Sequence, residues 1–410
     1  MTFSAGVQSA YTPLHKAIYC SLVAVFLCSF ISKAAINIFT GFAYIAALVF
    51  LWRDGFRLLR TYSWWVFFLL PLTLGLLTSS LTAAGGFEEI GRFLARFKFF
   101  LLPLAIILVA RNEKTFLGLF VAAWASALVA TLYGVGHAEQ RSLGAFNGVL
   151  FIGRNADMLL IVILTITVFL FDKDFRIRYQ KWIWLLLPSL LIFSYGLLMS
   201  GIRGAWLGYF VGALTYGLMF CRKLLVVLTI IIAMAFLFAN ESKLMDEARS
   251  IADVSDNHSN SARLQLWQSG WDFSQNQFWL GSGRSDLEQR FIDYLDDQPL
   301  EYQQSHALAA LYPGDFHNSY LQILVEWGAL WFLLMTVCGA LLFYNLYQSL
   351  MQVLPRHKAY VHAAIAVSAG YLFSQFFHGE LYSYGTILYL LVLTAGLAAG
   401  RWRGCKEPIA

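Results

Sequence analysis

Apolar runs recur along this chain at about 16–32, 35–52, 64–82, 96–110, 115–136, 155–171, 182–199, 204–220, 223–239, 318–346, 358–377 and 382–400, and short polar stretches separate most of them. As helices, runs of this kind can cross about 30 Å of hydrocarbon. A helix also satisfies every backbone N–H and C=O where no water is available to do so. The pattern predicts an all-α polytopic membrane protein of about twelve spans. Nine fall within residues 1–239 and three within 317–410, with one hydrophilic segment, residues 240–316, between them.

That segment carries turn signals at Asp256-Asn257 and Pro313-Gly314. Residues 262–273 read as a helix with Ser259 or Ser261 as its N-cap, and with Leu264, Trp267 and Trp271 at i, i+3 and i+7 on one apolar face. Such a helix is expected to lie along the membrane surface or over the bundle. A second helix is expected from near Ser285 to Tyr294, with Asp286 and Glu288 in its first turn, where the helix dipole favours acids.

Composition agrees. Of 410 residues, 59% are hydrophobic and 13% charged, with a mean hydropathy of +0.62, against about 45–50% and about 25% for an ordinary soluble domain. A water-soluble fold cannot hide so much apolar surface. The net charge of +5 is a matter of orientation rather than of nucleic acid, because basic residues cluster in alternate short loops. Placing the N-terminus in the cytoplasm puts Lys16, Arg53, Arg57, Arg60, Arg111, Lys114, Lys173, Arg176, Arg178, Lys181, Arg222, Lys223, Arg356, Lys358, Arg401, Arg403 and Lys406 inside. Of 24 Asp and Glu residues, only Asp54, Glu113, Asp172, Asp174 and Glu407 fall on that side. Both termini are then cytoplasmic and residues 240–316 lie on the opposite face. The N-terminus lacks the short apolar core and cleavage site of a removed signal, so the first span is expected to stay as an anchor. Cys20, Cys28, Cys221, Cys338 and Cys405 form neither a disulfide framework nor a metal-ligand spacing.

Several polar residues stand where the outer face would be. Arg203 occupies a very short turn between two spans; it is either a functional cation or an arginine snorkelling to headgroups. His317 stands where the hydrophilic segment enters the next span. A neutral imidazole there can take a proton from an attacking hydroxyl, with Asp315 or another carboxylate orienting it, although a histidine in that place can also be a mere helix cap. Arg263 and Arg284 lie within the segment, and the glycines of Gly281-Ser282-Gly283-Arg284 would let backbone amides approach an anion. Arg96, Lys98 and Arg154 sit near outer ends of spans, with snorkelling as the alternative reading. His137, His306 and His378 are weaker candidates. No His, Asp and Glu cluster has a metal-ligand spacing, so a metal-independent site without a cofactor is expected.

Three stretches resemble the O-antigen ligase and polymerase superfamily, and within it the lipopolysaccharide O-antigen ligases. Residues 200–208, Ser-Gly-Ile-Arg-Gly-Ala-Trp-Leu-Gly, are similar to the arginine motif that opens a span before the large periplasmic loop. Residues 317–328, from His317-Asn318-Ser319-Tyr320 to Glu326-Trp327-Gly328, are similar to the histidine motif that closes it. Between them, Ala262-Arg263-Leu264-Gln265-Leu266-Trp267 and then Leu280-Gly281-Ser282-Gly283-Arg284 follow the loop's arginine-helix and glycine-turn order.

The resemblance implies a fold like that of the multi-span GT-C glycosyltransferases in a Gram-negative inner membrane. It implies transfer of a glycan from undecaprenyl diphosphate to a lipid A-core acceptor on the periplasmic face, without nucleotide sugar or metal. In that reading Arg203 and Arg284 bind the diphosphate, supported by Arg263 and by Lys98 and Arg154. His317 is the general base of an inverting displacement, and Asp315 and Asn318 assist it. An O-antigen polymerase is the nearest alternative. A protein-glycosylating oligosaccharyltransferase would be expected to carry more soluble sequence. A lipid-linked-glycan flippase would place its charges near the bilayer midplane rather than around one loop.

Overall fold

The computed structural model describes residues 13–54, 59–109, 112–136, 155–238, 258–377, 381 and 384–402. Arg154, His137, His378, Cys405, Asp256-Asn257, and the loop residues Arg57, Arg111, Arg403 and Lys406 lie outside them. The described residues are helical and contain no strand. Among the described residues, eleven α-helices precede the polar segment: α1 Pro13–Leu27, α2 Lys33–Asp54, α3 Val66–Ser79, α4 Gly86–Phe97, α5 Leu102–Val109, α6 Glu113–Gly136, α7 Ala156–Phe171, α8 Lys173–Arg178, α9 Gln180–Met199, α10 Arg203–Met219 and α11 Arg222–Phe238. The segment holds α12 His258–Ser274, α13 Leu287–Asp296 and α14 Leu300–Ser305. The chain then continues in α15 Ser319–Gln352, α16 Lys358–Ser374 and α17 Gly385–Ala399.

Each of the twelve apolar runs contains a helix, but length separates them. Lys33–Arg53, Glu113–Gly134, Gln180–Met199 and Ser319–Gln352 are long and apolar enough to cross a membrane. The fourth run is the clearest departure from expectation. It begins in a separate amphipathic helix, α4, passes through a 3-10 turn at Lys98–Leu101, and leaves only the eight residues of α5.

Burial follows composition. α17 is buried along its whole length and α7 along nearly all of it, as helices apolar on every side should be when they form the centre of a bundle. α10 packs most extensively against α16. Their backbones touch at Gly208 and Gly370, where a Cβ on either would stand 2.6 or 2.5 Å from the other's carbonyl oxygen. The outer helices keep apolar stripes on the surface, as α2 does at Ile38, Phe42, Ile45, Leu48 and Trp52. A stripe of that length suits lipid and not water.

The polar segment folds as a small helical cap. Leu266, Phe273, Leu287, Phe291, Leu295, Ala309 and Phe316 make a second core, and Val325 of α15 completes it. Two sequence expectations need correction. α12 starts at His258, which places Ser259 and Ser261 inside the helix rather than at its cap. α13 starts at Leu287, and Asp286 precedes it in the left-handed region (φ 51°) without a side-chain cap bond. Leu264 and Trp271 are exposed, and the cap's core instead takes Leu266 and Phe273 from this helix.

Candidate functional site

α15 is interrupted at Gly328 (φ 75°, ψ 171°), and the residues preceding α13 fill the break. Ser282 N donates to Val325 O (2.8 Å) and Gly283 N to Glu326 O (2.9 Å), while Ala329 N donates to Phe278 O (2.8 Å). On the far side of the inserted strand of chain, Ala83 N and Ala84 N donate to Gly281 O and Ser282 O at 3.2 Å. The backbone groups freed by breaking the helix are thus paired within protein. A Cβ on Gly281 would lie 2.5 Å from both Glu326 O and Gly328 N, so the approach requires glycine.

The glycine turn does bring amides to an anion, but the anion belongs to the protein. Arg284 N and Ser285 N donate to the two carboxylate oxygens of buried Glu89 from α4, at 2.8 and 2.5 Å. Arg290 closes the turn by donating to the carbonyls of Ser282, Gly283 and Ser285. The Arg284 guanidinium donates to Gly314 O (2.9 Å) and to Glu326 Oε1 (3.0 Å). Glu326 is fully buried. It also accepts from Gln322 Nε2 (2.7 Å) and stands 3.6 Å from Arg96 Nη2. Sequence reasoning gave no role to Glu89, Glu326 or Arg290. Glu326 falls within the quoted histidine motif, and a carboxylate in an apolar run was the available signal.

This junction steers the stretch leading to His317. Gln322 Nε2 also donates to Gly314 O, and Gln322 Oε1 accepts from Phe316 N (3.0 Å). Phe316 O accepts from Trp267 Nε1 of α12 (2.9 Å), and its ring is buried edge-on to Phe291. Two residues later, Asn318 caps α15, its side chain accepting from Tyr320 N (3.0 Å) and Leu321 N (3.1 Å). His317, pinned on both sides, takes φ 46°. Only the surrounding contacts can hold a non-glycine residue there, and such strain tends to collect at functional sites. Asp315 Oδ1 accepts from the His317 backbone N (3.1 Å) and lies 3.7 Å from Nδ1, too far for a hydrogen bond to the ring. The imidazole is about two-fifths exposed.

Arg203 and Arg263 share a cavity of about 170 Å³ that opens beside this stretch. Arg203 is the first residue of α10, following the tight α9–α10 turn, which Trp206 Nε1 braces by donating to Leu197 O (2.8 Å). Asn260, Arg263 and Trp267 project from α12 at helical spacing. Leu207, Leu264 and Phe377 supply an apolar wall, and none of the described lining residues is acidic. Burial, and then the neighbouring Arg203 charge, push the Arg263 pKa below its ordinary value. Trp267 links the cavity to the histidine stretch through its bond to Phe316 O, and the Tyr312 ring stands 5.4 Å from that of His317. A cationic floor with an apolar wall suits an amphiphilic anion.

Of the sequence candidates, Arg203 and Arg263 come together, and the stretch holding His317 is tied to their cavity through Trp267. Asp315 and Asn318 shape the backbone around the histidine, and Arg284 reaches it only through Gly314. Lys98 lies elsewhere, over the rings of Phe99 (5.2 Å) and Tyr384 (6.0 Å). His306 stacks on Tyr302 inside the cap. A search among curated proteins returns no match. Residues 188–336, from within α9 to just past the interruption of α15 and so including every one of these arginines and His317, match the O-antigen ligase family model, the same superfamily that the motifs resemble.

Proposed function

We propose that this protein is an O-antigen ligase of about twelve spans and GT-C-like architecture, with cytoplasmic termini and a periplasmic site. It transfers O-antigen from undecaprenyl diphosphate to a lipid A-core acceptor. The observation that carries the reading is the pairing of Arg203 and Arg263 in one half-apolar cavity beside a strained His317.

In this reading the donor diphosphate lies against the two guanidiniums, which suit bidentate phosphate contacts. The first isoprene units follow Leu207, Leu264 and Phe377 toward lipid. An acceptor hydroxyl gives its proton to His317 as its oxygen bonds to the anomeric carbon. The bond from that carbon to the diphosphate oxygen breaks on the opposite side, and the lipid diphosphate leaves with the electron pair, inverting the centre. Charge grows on the leaving group as the bond breaks, so the fixed arginines stabilise the transition state more than the bound donor. Arg284 acts from behind, holding Gly314 and through it the histidine stretch. A direct contact between Arg284 and the diphosphate would require it to give up Glu326.

The test is transfer by purified protein given undecaprenyl diphosphate-linked O-antigen and lipid A-core. Wild type should glycosylate the core, and His317→Ala should be slower by roughly 10²–10⁴-fold while binding donor normally. Full transfer by His317→Ala would remove the base from the mechanism. A wild type that only lengthens carrier-linked glycan would be a polymerase, and one that moves the lipid without making a bond would be a flippase.

A further inference from the structure

A second group of cations lies at the same end of the bundle, outside the arginine cavity. Lys33, the first residue of α2, holds its ammonium 5.6 Å from the centre of the Tyr384 ring, and Lys98 holds its own 6.0 Å from the same ring. Phe99 packs against Tyr384 at 5.4 Å, and Tyr44 Oη donates to Lys98 O (2.7 Å), fixing the backbone there. Asn37 Nδ2 donates to the Tyr384 hydroxyl (2.9 Å), which leaves the phenol proton available to a further acceptor.

Among the described residues no carboxylate stands within ion-pair reach of either lysine. Two ammoniums over one ring repel each other, and cation–π contact offsets only part of that cost. Lys33 also stands at the N-terminal end of its helix, where the dipole disfavours a cation. An anion would resolve all three conditions.

Described residues on either side of the α16–α17 connection relate this group to the site. Phe377 lines the arginine cavity at one end, and Tyr384 stands between the lysines at the other. Midway, Leu381 N donates to Ser319 Oγ (3.2 Å), two residues after His317. Phe377 and Tyr384 are thus seven positions apart in the chain, and Leu381 between them is held by the residue two after His317.

We infer that Lys33 and Lys98, with Asn37 and Tyr384, form a second phosphoryl-binding site that takes the phosphorylated headgroup of the acceptor glycolipid. The inference rests on the arginine cavity being the donor site. A transfer between two anionic amphiphiles needs two anion sites flanking one base. Guanidinium forks match a diphosphate bidentately, whereas ammoniums act as point charges that tolerate a single phosphate ester in varied orientations. Lys98 thereby moves from the donor to the acceptor.

The experiment uses full-length protein in phosphatidylcholine nanodiscs. Affinities are measured for bisphosphorylated lipid A, for dephosphorylated lipid A, for undecaprenyl diphosphate and for inorganic phosphate. K33Q/K98Q should weaken binding of bisphosphorylated lipid A by roughly tenfold or more, with no change for the dephosphorylated lipid or for undecaprenyl diphosphate. R203Q/R263Q should show the reverse selectivity, and its failure to do so would count against the donor reading alone. Unchanged affinity of K33Q/K98Q for bisphosphorylated lipid A overturns the inference. So does an equal loss for both forms of lipid A, which would make the lysines packing groups. Inorganic phosphate binding as tightly as the phosphorylated lipid would assign the site to free phosphate instead. If the double variant also loses undecaprenyl diphosphate, K33Q and K98Q are read singly, and bisphosphorylated lipid A binding that survives in both overturns the inference.

Discussion

Arg263 and Arg284 are 21 positions apart, both in the cap and both within motifs of similar appearance, yet they live in opposite electrostatic surroundings. Arg263 faces Arg203 across a cavity whose described lining has no acid, and its charged form is disfavoured there. Arg284 binds a fully buried carboxylate that Arg96 and Gln322 also approach. The first environment brings two guanidiniums to one cavity, which suits an anion. The second is already neutralised and serves as a rivet between cap, bundle and α4. Identical side chains thus meet a second cation in one place and a buried carboxylate in the other, which is why the donor role proposed above falls to Arg263 and a structural one to Arg284.

The hardest blow to that comparison should come from Glu326→Ala. Removing one member of a buried ion pair strands the other, at a cost of roughly 3–5 kcal/mol, so thermal unfolding in detergent should show a large loss. A midpoint equal to wild type would mean that the junction does not hold the cap. A smaller and more selective effect is expected from R263Q set against R284Q. R263Q should lower undecaprenyl diphosphate affinity by roughly tenfold with little change in unfolding midpoint, and R284Q should do the reverse. Equal donor losses would return Arg284 to the diphosphate. The least effect is expected from Trp267→Phe, which keeps a ring in the cavity wall and deletes the bond to Phe316 O. About 1 kcal/mol of stability should go, with transfer slowed a few-fold as the histidine stretch loosens. A transfer rate equal to wild type would show that Gln322 and Asn318 alone fix His317.

Much of the fold was legible because the period of apolar residues reports directly on helices, and each run did hold one. The fourth run misled because Arg96-Phe97-Lys98 was read together with the apolar residues after it. The chain instead turns there, and Phe93 and Phe97 of α4 are buried under Trp327 and Trp331. Arg203, Arg263 and His317 were legible as chemistry because a charged side chain near lipid demands a reason. Their meeting was not legible, since it depends on the pitch of α12 over the α9–α10 turn. The glycines at 281 and 283 were seen to permit close approach, but spacing alone could not tell a substrate phosphate from the carboxylate of Glu89, 195 residues from Arg284.

The break in α15 also sets an order of assembly. Its backbone partners come from residues 278–283, and these in turn lean on residues 83–84. Closing contacts so distant in the chain is slow compared with forming a helix. Synthesis delivers α1 to α11 and the cap first, yet none of them can seat the histidine stretch until Val325 to Leu330 have emerged. The nascent protein would therefore pass most of its biogenesis as an inserted but unarmed bundle. Competence would arrive in a single late step, when both halves of the interrupted helix close around the glycine turn.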